Sequence, residues 1–298
     1  MTNVEEAILK TICYRDIFDY PLTVSEIHKF LVGEKANEIT TKKYLEELRG
    51  RGLVDERDGF YFLAGKPELA RRRVTRNALS AEKYERAYDL SQILKNIPWV
   101  KAVFATGALA AGNAGEEDDI DFMVVTEPNR VWLVRAWAYL AFMFKGLKRK
   151  RGKEEDPGKV CLNMFLSEGA LTLPKGERNL FTAHEICLAR PLWAKDQLQA
   201  RFFAENSWVK EFFPNWEFPQ ADKREVKEQG GTFSKLDDLA RKIQLWYMES
   251  RRTRETVERD RIMFHPVDLS RKILGDFKIR FYRVTHQTEV QDEKEASG

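Results

Sequence analysis

Residues Trp99 to Thr126 read WVKAVFATGALAAGNAGEEDDIDFMVVT, and the fold turns on how this stretch is understood. Val100 to Thr106 is short, β-branched and apolar, which predicts a buried strand, and it stops at Gly107-Ala108, where the chain must turn sharply. Glycine at that point permits a positive φ and lets a ligand approach the backbone closely. After a small-residue and acidic loop, a second strand is expected from Asp119, reading Asp-Ile-Asp-Phe-Met-Val-Val. Side chains alternate along a strand, so Asp119 and Asp121 share one face while Ile120 and Phe122 enter the core.

Two carboxylates roughly 6 to 7 Å apart at the head of an apolar strand are unfavourable unless a cation or a proton sits between them. Mg²⁺ is the simplest answer, because it takes one or two carboxylates together with phosphate oxygens, and a pair of such ions stabilises both oxygens of a phosphoryl displacement. Asp119 and Asp121 are therefore the candidate catalytic and metal-binding residues. Thr106, Gly107, Ala108 and Asn113, on the turn and its loop, are the candidate nucleotide-binding residues, with backbone N–H groups directed at phosphate. A solvated edge hairpin is the plainer alternative. It requires neither the strand-glycine turn nor an apolar residue between the aspartates.

Gly107-Ala108, ten residues, and then Asp119-Ile120-Asp121-Phe122 resembles the pattern of the DNA polymerase β-like nucleotidyltransferase superfamily, in which a Gly-Ser or Gly-Gly turn precedes an Asp-x-Asp pair. The resemblance spans roughly residues 95 to 190. It implies an α/β (α+β) fold with a mixed sheet flanked by helices, one or two Mg²⁺ ions, and transfer of a nucleoside monophosphate from ATP or another NTP to an acceptor hydroxyl of unknown identity. Two departures stand out. Ala108 replaces the family's Ser or second Gly, losing a hydroxyl but keeping the N–H. The family also carries a third carboxylate on a neighbouring strand, whereas the expected strand Val160 to Leu166 offers Asn163, an amide that cannot act as a general base. Glu168 and Glu185 are the other candidates for a third ligand. The missing carboxylate leaves open a second reading, a nucleotidyltransferase-like regulator that binds nucleotide or DNA without turnover.

Four segments are expected. In residues 1–65, helical stripes (Val4, Ala7, Ile8, Ile12), a capping-box spacing at Thr23 and Glu26, a third helix over Thr40 to Arg51 and two strands around Asp58-Gly59 resemble a winged helix. That resemblance implies DNA or RNA contact through Lys42 and Lys43, although Glu46 and Glu47 on the same helix oppose phosphate. Packing against the central unit is the competing role. Residues 66–97 form a connecting helix whose Arg71, Arg72, Arg73 and Arg76 make either a solvated face or a landing strip for polyphosphate. Residues 98–229 form the nucleotidyltransferase-like domain. Its apolar helix Val131 to Phe144 is expected to be buried, its basic loop 145–153 is exposed or grips triphosphate or RNA, and its helix Asn179 to Arg190 carries His184 and Glu185 as a structural hydrogen-bonding pair. The aromatics from Phe202 to Phe218 are expected to be core. In residues 230–298, one long helix from Leu236 to Arg259 is expected to turn Leu239, Ile243, Trp246 and Tyr247 inward, followed by a last helix, Val267 to Tyr282, and a frayed final dozen. These helices cap the site or offer a homodimer surface.

Composition narrows the classes. With 43% hydrophobic and 33% charged residues the chain is globular rather than disordered, and a net charge of +3 is too small to mark a nucleic-acid protein without local clusters. Cys13, Cys161 and Cys187 lie far apart in apolar contexts, which predicts core residues of a reduced, cytoplasmic protein. The acidic N-terminus lacks the basic start of a signal peptide, and the apolar run at Val131 is shorter than the roughly 20 residues a bilayer needs, so no membrane association is expected.

Overall fold

The computed structural model describes residues 1–147, 159–218, 232–249, 256–263 and 267–296. The chain opens with three helices, α1 (Asn3–Asp16), α2 (Val24–Lys29) and α3 (Glu38–Gly50), and a hairpin of β1 (Val54–Arg57) and β2 (Phe60–Leu63). Local chemistry accounts for each boundary. Thr2 with Glu5, and Thr23 with Glu26, form capping boxes, and the Asn37 side chain caps α3. Asp58 and Gly59 both take positive φ (56° and 80°), as a two-residue turn between twisted strands demands. Ile8, Ile12, Leu22, Ile27, Leu45, Leu48 and Val54 form the enclosed core of this unit.

Helix α4 (Glu68–Lys95) follows. Of the four arginines expected to form a solvated face or a landing strip, Arg71 and Arg72 are exposed, Arg76 is half-buried and Arg73 is buried. Arg73 pairs with Glu26 at 2.8 Å and lies over the Tyr20 ring at 3.6 Å. Arg72 pairs with Asp19 at 2.7 Å, and Arg76 donates to Asn113 at 2.9 Å. Thus α4 binds the N-terminal unit to the central loop.

The central elements are β3 (Val100–Ala105), the single turn α5 (Gly107–Ala110), β4 (Ile120–Thr126), α6 (Val131–Phe144), β5 (Val160–Ser167), α7 (Leu180–Leu188), β6 (Arg190–Ala194), α8 (Leu198–Glu205), α9 (Thr232–Glu249), β7 (Thr256–Val257), β8 (Arg261–Met263) and α10 (Val267–Ala296). They build a mixed sheet of order β6-β3-β4-β5-β8-β7. β3 and β4 are antiparallel, while β4 and β5 are parallel, the crossover being made through α6. One sheet face, with Val103, Phe122, Val124 and Phe165, packs on α4 and α6. The other, with Phe104, Met123, Val125 and Leu166, is covered by α7, α8 and the aromatic segment (Phe202, Trp208, Phe213, Trp216), as expected for that segment, and by Tyr14 and Phe30 of the N-terminal unit.

The C-terminal part departs from expectation. The long helix is described over Thr232–Glu249, and β7, which falls on residues expected to be helical, joins β8 in adding two strands to the sheet. Helix α10 continues by its backbone to Ala296, through residues expected to fray. On α9, Leu239, Ile243, Trp246 and Tyr247 are exposed rather than inward, Trp246 by 76%. The reason is polar docking. Asp237 of α9 accepts from the Leu133 N–H in the first turn of α6 at 2.8 Å, and Gln244 donates to the Trp132 carbonyl at 2.9 Å, so the polar side of α9 faces α6. Helix α6 itself is buried on one face (Trp132, Val134, Ala138, Phe142) and bare on the other, where Phe144 is 82% exposed. From residue 148 onward the basic loop lies outside the described residues. Among the described residues no helix is long and apolar enough to cross a membrane.

Removing the Arg73 guanidinium strands Glu26 and uncovers Tyr20. Arg73→Ala should lower stability by about 2 kcal/mol, less than for a fully buried pair because Glu26 retains contact with water. Urea denaturation followed by tryptophan fluorescence measures this, and an unchanged midpoint contradicts it.

Candidate functional site

The site forms where β3 turns into β4. The Thr106 N–H donates to the Asp121 carbonyl at 3.1 Å, tethering the turn to the next strand. Gly107 has φ +62°, and a Cβ placed there would lie 2.7 Å from Asp121 Oδ2. Glycine is thus required twice, for its conformation and for the space the carboxylate occupies. The acidic loop is organised from behind by Lys83 of α4. Its Nζ donates to the carbonyls of Gly115, Glu116 and Asp118 at 2.6, 2.9 and 2.6 Å, and the Gly115 N–H donates to Asp118 Oδ2 at 2.8 Å. Burial lowers the Lys83 pKa, while Asp118, Asp119 and Glu117 pull it back up. The loop that ends at Asp119 is therefore an ordered support, a role the sequence did not reveal for Lys83.

Across the parallel pair, Asp121 stands opposite Cys161. One ligand atom each from Asp119, Asp121 and Cys161 lies within 4.8 Å of the other two, and all three residues are half-buried. This corrects one expectation: Cys161, expected in the core, brings its thiol to the carboxylates, while Cys13 and Cys187 are buried as expected. Asn163, expected at the third position, is the extra residue where the register shifts between Phe122↔Leu162 and Met123↔Met164, and its side chain lies outside the described residues. The signal that could have found Cys161 is directional: a crossover returns a parallel strand beside β4, so the first residues of both strands lie together.

The donor set fits a divalent cation. Two carboxylates suit Mg²⁺, whereas a thiolate suits a softer ion, so Asp119 and Asp121 are the residues that would hold Mg²⁺ and Cys161 would add affinity for Mn²⁺ or Zn²⁺.

The remaining candidates separate clearly. Asn113 is engaged within the protein: its Nδ2 donates to the Phe18 carbonyl and its Oδ1 accepts from Arg76, each at 2.9 Å. Glu168 lies beyond the far end of β5, roughly 20 Å along the strand from Cys161, and pairs with Arg201 at 3.3 Å. It cannot complete the site. His184 is not paired with Glu185; its Nε2 accepts from Arg15 Nη1 at 2.8 Å, deep inside. Burial, then the Arg15 charge, hold the imidazole pKa well below its ordinary value. Glu185 instead lines a cavity of about 340 Å³ beneath the sheet, together with Thr106, Met123, Met164 and Phe181. Burial pushes its carboxyl pKa up to about 7 against the pull of Arg15. Thr106 is buried, and its hydroxyl has no partner among the described residues.

Comparison of the chain with protein-family models gives no match, and comparisons with curated proteins and with solved structures give none.

Two outcomes follow from this geometry. Gly107→Ala should displace the Asp121 carboxylate and weaken Mn²⁺ binding roughly 10- to 100-fold, as misdirected ligands do; calorimetric titration with Mn²⁺ would reveal unchanged affinity if the contact is unimportant. For Glu185, the folded carboxyl keeps its proton to higher pH than the unfolded one. The folded state then binds more protons between about pH 4.5 and 7, so this group's contribution to stability falls as pH rises across that window. Glu185→Gln should therefore gain stability relative to the parent protein as pH rises through it, a trend that denaturation at several pH values will detect or refute.

Proposed function

We propose that the chain is a metal-dependent nucleotidyltransferase of the DNA polymerase β-like type, moving a nucleoside monophosphate from an NTP to an acceptor hydroxyl, in the cytoplasm. The observation that carries this reading is the close grouping of Asp119, Asp121 and Cys161 beside a glycine whose missing side chain makes room for Asp121. Asp119 and Asp121 hold the cation, which when bound supplies charge stabilisation to the phosphoryl oxygens. Gly107 and Ala108 present backbone N–H groups to the phosphates, and Lys83 stiffens the loop that positions Asp119. Three cysteines joined by no disulfide accord with a reducing compartment.

One observation favours a second reading. The residue facing Asp121 is a thiol, which is a poor general base for an alcohol beside two carboxylates, and this suits a protein that binds nucleotide without consuming it. The N-terminal unit has the element order of a winged helix, three helices and a hairpin, and α3 exposes Lys42 and Lys43. Lys43 is partly neutralised by Glu47 at 3.7 Å, which weakens the case for a strong DNA grip.

Incubation with each NTP and Mg²⁺ or Mn²⁺ should release pyrophosphate, and Asp119→Asn with Asp121→Asn should abolish the release. Cys161→Asp should raise turnover with Mg²⁺ relative to Mn²⁺. Absence of pyrophosphate with every NTP, joined to salt-sensitive duplex binding that Lys42→Glu plus Lys43→Glu removes, would establish the regulator instead.

A further inference from the structure

The cavity next to the carboxylates is built differently from a phosphate site. Its walls are hydrocarbon: Met123 and Met164 from the sheet, Leu171 and Leu173 from the segment after β5, Phe181 and Ile186 from α7. An engineered apolar cavity of about 150 Å³ holds benzene, so one of about 340 Å³ accommodates a ligand of roughly eight to twelve heavy atoms. Seven polar residues also touch the lining, Thr106, Glu177, Asn179, Thr182, Glu185, Ser270 and Arg271, and two of them matter here. Thr106 is only 7% exposed and its hydroxyl is unsatisfied among the described residues, an arrangement that buried polar groups rarely keep without a partner. Glu185 contributes a carboxyl to the same space.

The chemistry of the head group follows from its neighbours. Glu177 is held by Arg261, Asn179 and Thr182 bond each other at the start of α7, and Ser270 and the exposed Arg271 belong to α10, which leaves Thr106 and Glu185 to receive a head group. A neutral hydroxyl suits that pair, since it can accept from the Thr106 hydroxyl and donate to the Glu185 carboxylate. We propose that this cavity is a binding site for a small, mostly hydrocarbon alcohol, held at its hydroxyl by Thr106 and Glu185. The site requires neither cation nor nucleotide, and so goes beyond the transferase reading. Its position is still suggestive in one respect: Thr106 bonds Asp121 through its backbone while its hydroxyl enters the cavity, so the two sites share a residue.

The test is calorimetric titration of the full chain with 1-octanol and with 1-chlorooctane, a probe of the same shape without a hydroxyl. Octanol should bind about tenfold more tightly, the value of one hydrogen bond to an otherwise unsatisfied group. Thr106→Val should erase that difference while leaving chlorooctane affinity unchanged, and Ala189→Phe, which fills the cavity from its wall, should block both probes. Glu185→Gln should keep octanol binding but remove its change with pH between about 5 and 8. Equal affinity for the two probes in the parent protein, no binding of either, or octanol affinity unmoved by both Thr106→Val and Ala189→Phe would overturn the proposal. Asp119→Asn with Asp121→Asn separates the two sites: octanol binding should persist when pyrophosphate release is lost, and its disappearance there would refute a cavity independent of the carboxylates.

Discussion

The contact that the site depends on is between a side chain and the absence of one. Asp121 Oδ2 occupies the space that a Cβ of residue 107 would need, and the backbone at that residue has the left-handed conformation that glycine adopts most readily. The turn and the carboxylate are thus fixed together, with the bond from the Thr106 N–H to the Asp121 carbonyl closing the arrangement. Once Asp121 is set, strand alternation sets Met123 and Val125 on the same face, and that face meets α7 and α8. The opposite face receives Ile120, Phe122 and Val124, and so demands α4 and α6 as cover. A polar cluster at the end of a strand and two apolar layers along it are consequences of one register.

Much of this was legible because it is periodic or local. The strand pair, the glycine turn, the capping boxes, the positive-φ hairpin turn and the crossover helix each announce themselves within a few residues. What escaped was set by pairing across long sequence separations. β6 is five residues long and begins with Arg and Pro, so only its place against β3 makes it a strand. β7 and β8 are shorter still; β7 falls within the helix expected over Leu236 to Arg259, and β8 lies just past it, where no strand is expected. Helix α9 differs for another reason: its apolar stripe is real, but Asp237 caps the unmet Leu133 N–H in the first turn of α6 and Gln244 adds a bond to the Trp132 carbonyl, which turns the polar side of α9 toward α6.

The same division holds within the site. Asp119, Asp121 and Gly107 could be picked out because their spacing alone carries meaning, whereas Cys161 lies some forty residues downstream and meets Asp121 only through the parallel register. Asn163 matches the third position by residue type, and the ladder shifts register at that residue. Asn113 looks available to a ligand from the sequence, but Arg76 and the Phe18 carbonyl each hold one end of its amide. Lys83 carried no signal at all, since one lysine among many on a long charged helix becomes informative only when three carbonyls converge on it.

The N-terminal unit is bound into this arrangement by a contact that would be costly to expose. Arg15 of α1 is buried, and the partner of its guanidinium is the imidazole of His184 on α7. An arginine can only donate, so His184 Nε2 must accept, which keeps the ring neutral and fixes its proton on Nδ1. Burial also lowers the Arg15 pKa, to about 10, with Glu26, Tyr14 and Glu185 drawing it upward. Undocking α1 from α7 would leave these groups mismatched on both sides, and it would strip Tyr14 and Phe30 from the core they share with Phe213 and Trp216. Because Glu185 sits one residue from His184 and faces the cavity, whatever holds α1 in place also holds the cavity wall, so the N-terminal helices, expected either to contact nucleic acid or to pack against the central unit, are structural members of the cavity.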